Sequence, residues 1–307
     1  MLDSGFTTVR NVGSQNWDDI GLQQAVDSGR MIGPRIVGAG HALGVTGGHC
    51  DITGLPPSME KAGKAEGVGD SPAELRYQVR RQKKYGARVI KICATGGVFS
   101  HNDEPGQQQM TAEELSAVAD ETHMAGLRVA AHAHGAAGIK AAIRAGVRGI
   151  EHASLIDDEG LRLAKASSTF LDMDVYDGDW IDEIGRRDHW PAAMLRKNND
   201  TTEAQRQGFA KAVRMGIALP FGTDAGVYPH GLNARQFRYM VKYGMTPLQA
   251  IQSATTVAAA FIGWSKDVGS LTPGHYGDMI ALERNPLNDV AALEQVAHVI
   301  KGGVLVR

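Results

Sequence analysis

The sequence predicts an α/β fold with a parallel sheet, and three observations carry that prediction. Short apolar runs at 7–12, 35–39, 88–92, 127–131, 147–150, 169–175 and 217–221 alternate with helix signals. Two of those helices announce their starts: Ser71-Pro72-Ala73-Glu74 and Thr111-Ala112-Glu113-Glu114 read as capping boxes, with Pro72 suited to a first turn. Gly86 and Gly126 then stop the helices just before the next run, as left-handed residues do at C-termini. Repeated strand–loop–helix units imply parallel strands joined by right-handed crossovers, and their number favours a closed (β/α)8 TIM barrel over an open sheet. Such a barrel needs eight strands, and Leu2-Asp3-Ser4-Gly5 reads as a helix end leading straight into the 7–12 run. The first strand is therefore expected to be absent.

Beyond residue 246 the texture changes. A helix over 246–262 is followed by the turn sequence 269–274 and by short β-like segments at 278–282 and 296–306. This gives two expected units, a barrel over 1–268 and part of a small β-sandwich domain over 269–307. The stretch 41–69, rich in Gly and Pro, is the one long irregular segment. Following a barrel strand, it is expected to be functional.

Composition narrows the function. The 307 residues carry 32 Lys plus Arg against 34 Asp plus Glu, so no global field favours nucleic acid or an anionic membrane surface. A small-molecule or dipeptide ligand is the better expectation. No apolar run approaches the roughly 18 residues of a membrane-spanning helix, and the first residues lack signal-peptide character. A soluble protein is expected, with its compartment undefined. Cys50 and Cys93 stand in no paired-ligand spacing, so neither a disulfide framework nor a zinc ribbon is indicated.

Histidine, at 11 residues, is the informative type. In a parallel barrel the site forms where strands end, so polar residues that close apolar runs are the candidates. Val89-Ile90-Lys91-Ile92 holds a lysine inside a strand; other runs end in His132-Ala133-His134-Gly135, Glu151-His152-Ala153 and Thr223-Asp224-Ala225-Gly226. Singly, each has an ordinary structural explanation as a snorkelling lysine, a core histidine or a turn-capping acid. Together at one barrel mouth they would crowd polar atoms with no partner, and a metal ion supplies one. Imidazole and carboxylate suit zinc. Lys91, desolvated and neutral, could add carbon dioxide and become an anionic carbamate able to bridge two ions.

On these residues the sequence resembles the metal-dependent amidohydrolase superfamily, in its prolidase and carboxypeptidase branch. The intervals are 41 residues from Lys91 to His132, 20 more to His152 and 72 more to Asp224. The resemblance implies two divalent ions, with carboxylated Lys91 bridging them and His132, His152 and Asp224 as further ligands. His132-Ala133-His134-Gly135 and Gly47-Gly48-His49 look closest to amidases of ochratoxin-like N-acyl phenylalanines and to Xaa-Pro and Xaa-Arg carboxypeptidases. It also implies hydrolysis by a metal-bound hydroxide of an amide or peptide bond next to a free carboxylate, with Asp224 as general base and then acid. His49 would donate a hydrogen bond to the carbonyl oxygen as it becomes an oxyanion. His134, Tyr176, Lys140 and His230 are the expected substrate contacts, Lys140 with Arg144 meeting a carboxylate. A homo-oligomer is expected.

The family's His-x-His pair at the end of strand one has no counterpart before Thr7, and this gap coincides with the uncounted strand. Two other readings follow. A mononuclear deaminase on the same barrel needs no bridging lysine, and Lys91 argues against it. A truncated, inactive barrel serving as a subunit takes the missing pair at face value.

Overall fold

In the computed structural model, which describes residues 1–59 and 63–307, the expected alternation is present. Strands β1 (Thr8–Asn11) and β2 (Arg35–Gly38) pair in parallel, and β3 (Ile90–Cys93), β4 (Val129–Gly135), β5 (Gly149–Leu155) and β6 (Phe170–Asp172) form a second parallel ladder. The two ladders adjoin. Arg88 N–H donates to Gly38 O at 2.8 Å, and Leu43 exchanges backbone bonds with β3 through Lys91 O and Cys93 N. Residues 60–62 of the long 41–69 stretch lie outside the described residues.

Helices cover the sheet between strands: α1 (Asp18–Asp27), α2 (Pro72–Tyr85), α3 (Ala112–Met124), α4 (Ala136–Arg144), α5 (Asp158–Ser167), α6 (Asp177–Arg187) and α7 (Ala192–Met215). Thr111 and Glu114 make the full capping box of α3. At α2, Ser71 accepts from Glu74 N–H as expected, whereas the Glu74 carboxylate caps Asp70 N–H instead of Ser71. Gly86 ends α2 at φ 107°, a conformation that suits only glycine. Between helices and sheet, Leu75, Ile90, Ile92, Leu115, Ile139, Ile150, Leu161 and Leu171 are fully buried in one continuous core.

The run at 217–221, expected as a strand, joins no ladder. Leu171 N–H donates to Ala218 O at 3.1 Å on one side, and on the other Phe221 N–H donates to Ser253 O. That second acceptor comes from a π-helical turn, Ser253–Val257, lying between α9 (Pro247–Gln252) and α10 (Ala258–Ile262) and preceded by α8 (Gln236–Lys242). A π turn shifts the helix's own bonding and frees carbonyls. The helix expected over 246–262 is present and continuous from Pro247 to Ile262, with this π turn at its centre. A strand needs ladder partners, and 217–221 has one sporadic bond on each side.

The sheet curls. Arg10 of β1 reaches across the interior to Glu151 of β5 at 2.6 Å and Asp172 of β6 at 2.8 Å. Separate from these ladders, β7 (Met279–Leu282), β8 (Val296–Lys301) and β9 (Val304–Leu305) form an antiparallel sheet whose Val296 and Val299 bury Leu2 and whose Ile280 and Leu282 pack against the main core.

One expectation is corrected outright. Cys50 and Cys93 form a disulfide with a Cα–Cα distance of 5.6 Å. Their separation of 43 residues conceals it, because the loop after β2 folds back over the end of β3.

Close packing at the strand ends gives a stability test. A Cβ on Gly135 would overlap the carbonyl oxygen of Gly106 and lie 2.8 Å from its carbonyl carbon, a backbone obstacle that cannot swing aside as a side chain could. Gly135→Ala is expected to cost about 1–3 kcal/mol, read as a lowered thermal midpoint by circular dichroism. An unchanged midpoint would mean that the 106 loop gives way freely.

Candidate metal centre

Adjacent strands deliver the histidines in register. Cys93 faces His132 across β3 and β4, and across β4 and β5 His132 faces Glu151 while Ala133 faces His152. The β4–β5 pairing then shifts between Ala133 and Gly135, where His152 and Ala153 take positive φ of 66° and 49°. Positive φ in residues other than glycine costs free energy and marks functional positions. The His152 ring there lies 4.7 Å from that of His132 and 4.8 Å from that of His134, centroid to centroid.

The ligand atoms of His132, His134 and His152 all lie within 4.8 Å of one another, as do those of His152, Asp174 and Asp224. Each imidazole is held from outside by one ring nitrogen. His132 Nε2 donates to Gly96 O at 3.0 Å, His134 Nδ1 meets Ser154 Oγ at 2.8 Å, and His152 Nδ1 donates to Asp174 Oδ2 at 2.7 Å. That leaves Nδ1 of His132 and Nε2 of His134 and His152 for an ion. Outer partners of this kind orient metal-binding histidines, and a divalent ion fits the donor set. Asp174 fits the orienting role better than a ligand's, since Gln205 Nε2 occupies its other oxygen at 2.7 Å.

Burial opposes charge on His152, but the Asp174 carboxylate outweighs it and raises the imidazole to about 9. His132 and His134 are pushed well down by burial and by their neighbouring histidines. Lys91, with only 6% of its surface exposed, is pushed below the usual lysine range by burial, against the pull of Glu151 and Asp224. Asp224, at φ 47°, sits on the open wall of the cavity.

That cavity has a volume of about 890 Å³, and His49, Lys91, His132, His134, His152 and Asp224 all line it. His49 stacks on His132 with ring centroids 4.0 Å apart. Burial, then the facing His152, lower His49 to about 4, so its ring is neutral. His230 is exposed at the rim. Tyr176 is instead buried against Tyr228 and Tyr239, its hydroxyl accepting from Arg235 at 3.0 Å. Lys140 pairs with Asp157 at 2.7 Å and Glu159 at 2.9 Å, and Arg144 with Glu159. These two cations are committed to the α4–α5 surface and leave no free pair for a substrate carboxylate.

Among the site residues that escaped the sequence reading are Arg10, Asp172 and Asp174, and Glu151 was read only as the neighbour of His152. Arg10 was legible on the same ground as Lys91, a charge inside an apolar run, and Leu171-Asp172-Met173-Asp174 repeats an acid at the two-residue period of a strand. Beneath the histidines, Arg10 and Lys91 hold Glu151 below its ordinary value despite burial. Burial and the Glu151 charge push Asp172 well above its own.

The amidohydrolase family model matches residues 1–306. This chain belongs to the amidohydrolase family. It is 34% identical to ochratoxinase of Aspergillus niger over 331 aligned positions, covering 99% of this chain and 66% of that protein. The chain thus spans just under two thirds of the length of its curated relatives. Among solved structures, a Xaa-Pro dipeptidase with methionine bound in its active site superposes with a TM-score of 0.95 at 38% identity, covering 100% of this chain and 76% of that one. A prolidase complexed with N-methylphosphonate-L-proline gives 0.91 at 32%, covering 100% and 77%. The A. niger ochratoxinase structure gives 0.86 at 32%, covering 100% and 73%.

The His152–Asp174 pair has a measurable consequence. A folded value of about 9 lies above that of a free imidazole, so the pair stabilises the metal-free protein fully below about pH 6.5, and that stability is lost as pH rises through about 9. An ion at Nε2 must displace this proton, so affinity falls as pH drops below about 9. Titration calorimetry with zinc at pH 7.5, in buffers of differing ionisation enthalpy, should show release of about one proton per site. Buffer-independent heats would contradict the assignment.

Proposed function

We propose that this amidohydrolase hydrolyses an amide or peptide bond next to a free carboxylate, in a dipeptide, a C-terminal residue or an N-acyl amino acid. The observation that carries the proposal is the convergence of three outwardly anchored imidazoles with Lys91 and Asp224 on one cavity. The likeness to ochratoxinase and to Xaa-Pro dipeptidase and prolidase structures supports the bond class.

Two divalent ions, zinc by donor chemistry, would be held by carboxylated Lys91, by His132 and His152, and by Asp224. When bound, such ions lower the pKa of water from about 15.7 toward about 7 and polarise the scissile carbonyl. The chain's own residues do the rest. Burial disfavours the charged form of Lys91, and its deprotonated amine would add carbon dioxide with release of a proton, giving the site an anionic carbamate ligand. Asp224 takes the proton of the attacking water and returns it to the leaving amine. Asp174 keeps the His152 ring in one orientation. His134, bound to Ser154, walls the side nearest β5, and His230 marks the rim. With Lys140 and Arg144 committed elsewhere, the preference for a free carboxylate rests on the resemblance alone.

The same proposal covers architecture. The curled parallel sheet is read as a (β/α)8 barrel in which 217–221 occupies the last strand's place and the first strand's place lies between 217–221 and β1, where the rings of Phe6 and Phe221 meet at 5.8 Å. Residues 1–268 form this unit and 269–307 part of a small β domain.

Zinc-supplemented protein should release the amino acid from an N-acyl phenylalanine and act little on the matching C-terminal amide. Asp224→Asn should lower turnover about 10²- to 10⁴-fold with the fold preserved. Equal rates on acid and amide would remove the carboxylate requirement, and near-normal turnover by the variant would remove Asp224 from proton transfer.

A further inference from the structure

Behind His49 lies a buried polar chain that the reaction scheme above does not use. His49 Nδ1 sits 2.8 Å from Ser100 Oγ, and Ser100 Oγ sits 2.8 and 2.7 Å from the two oxygens of Asp103. Asp103 in turn accepts from Lys197 Nζ at 2.8 Å and from Gln109 Nε2 at 3.0 Å. Lys197 also donates to Gly97 O and Ser100 O. Ser100, Asp103 and Lys197 are 8%, 7% and 4% exposed, so water does not compete for these bonds.

Proton counting decides the direction of the chain. Asp103, ion-paired with Lys197, is an acceptor and has no proton to give. The single hydroxyl proton of Ser100 therefore goes to Asp103, the strongest acceptor within reach. Ser100 Oγ is then left with lone pairs only towards His49, and Nδ1 must be the donor. In a neutral imidazole the proton on Nδ1 leaves Nε2 bare. His49 lines the cavity, and its Nε2 has no hydrogen-bond partner among the described residues.

We infer that Ser100, backed by Asp103 and Lys197, fixes His49 as the Nδ1–H tautomer, so that Nε2 enters the cavity as a hydrogen-bond acceptor for an N–H group of the substrate. This reverses the direction expected from the sequence, in which His49 donates to the carbonyl oxygen. Ser100, Asp103 and Lys197 are positioning residues. The tautomer stands on the geometry of the chain alone; only what Nε2 meets rests on the hydrolytic reading. The loop is built for this arrangement: a Cβ on Gly97 would collide with the His49 ring, and Gln109 Oε1 accepts from His49 N–H at 2.9 Å.

The test uses the full zinc-supplemented chain with 15N-labelled histidine. Long-range 1H–15N spectra, assigned with His49→Gln, should show His49 with a protonated Nδ1 and an unprotonated Nε2. Ser100→Ala should reverse or average that tautomer, whereas Ser100→Thr, which keeps a hydroxyl, should retain it. Circular dichroism checks that both variants fold. On a substrate bearing an N–H beside the scissile bond, Ser100→Ala should raise KM about tenfold, the loss of roughly one hydrogen bond, with kcat changed less and Ser100→Thr near normal. A wild-type His49 protonated on Nε2, or an Nδ1–H tautomer that survives Ser100→Ala, overturns the inference. Absence of hydrolysis on every carboxylate substrate, with the tautomer and its response as expected, overturns the proposed function and leaves the positioning chain standing.

Discussion

The site depends on one buried charge that crosses the curled sheet. Arg10 leaves the first described strand and bonds to acids on the fifth and sixth, so the β1–β2 ladder is tied to the β5–β6 pair of the second ladder beneath the histidines. Glu151 immediately precedes His152, and Asp172 stands two residues before Asp174. Whatever fixes the two acids fixes the strand ends that carry the His152 ring and its orienting carboxylate. A buried pair of this kind is weak evidence for net stability, yet losing one partner leaves an uncompensated charge and costs about 3–5 kcal/mol. Gly222 follows from the same constraint, because a side chain there would run into the Asp172 carboxylate.

Above that floor the polar groups are arranged in two shells. The inner one holds the free nitrogens of three histidines, the Lys91 amine and the Asp224 carboxylate. The outer one, made of Gly96 O, Ser154, Asp174 and Gln205, sets which nitrogen of each ring is free. Strain concentrates at the same place, with His152, Ala153 and Asp224 all at positive φ. Conformations of that sort cost on the order of 1–3 kcal/mol each and persist where surrounding contacts overdetermine them. The Cys50–Cys93 disulfide adds a covalent constraint, since Cys50 follows His49 and Cys93 lies opposite His132.

Much of this was legible because it obeys local rules. The period of apolar runs, the caps at Ser71 and Thr111 and the polar closures at Lys91, His132, His152 and Asp224 all report on one strand or one turn at a time. What was not legible depends on pairing across the fold. The 217–221 run is apolar like the others, but a strand exists only where neighbours bond to it, and here the neighbour on one side is a π-turn carbonyl. Lys140 and Arg144 read as an open cationic face because the acids that take them belong to another helix. Tyr176 closes a strand, as site residues do, yet its ring completes an aromatic cluster. The disulfide and the Ser100–Asp103–Lys197 chain join residues 43 and up to 97 positions apart, distances over which sequence spacing carries no signal.

The central claim is that His132, His152, Lys91 and Asp224 surround a divalent cation, with Lys91 carboxylated. Anomalous diffraction at the zinc edge, from crystals of the zinc-supplemented protein, tests it most directly. The account predicts an anomalous peak within ligand distance of His132 Nδ1 and of His152 Nε2, with density for a carbamate extending from Lys91 Nζ towards it. Zinc bound only elsewhere, or a bare Lys91 amine beside a fully occupied metal position, would contradict it.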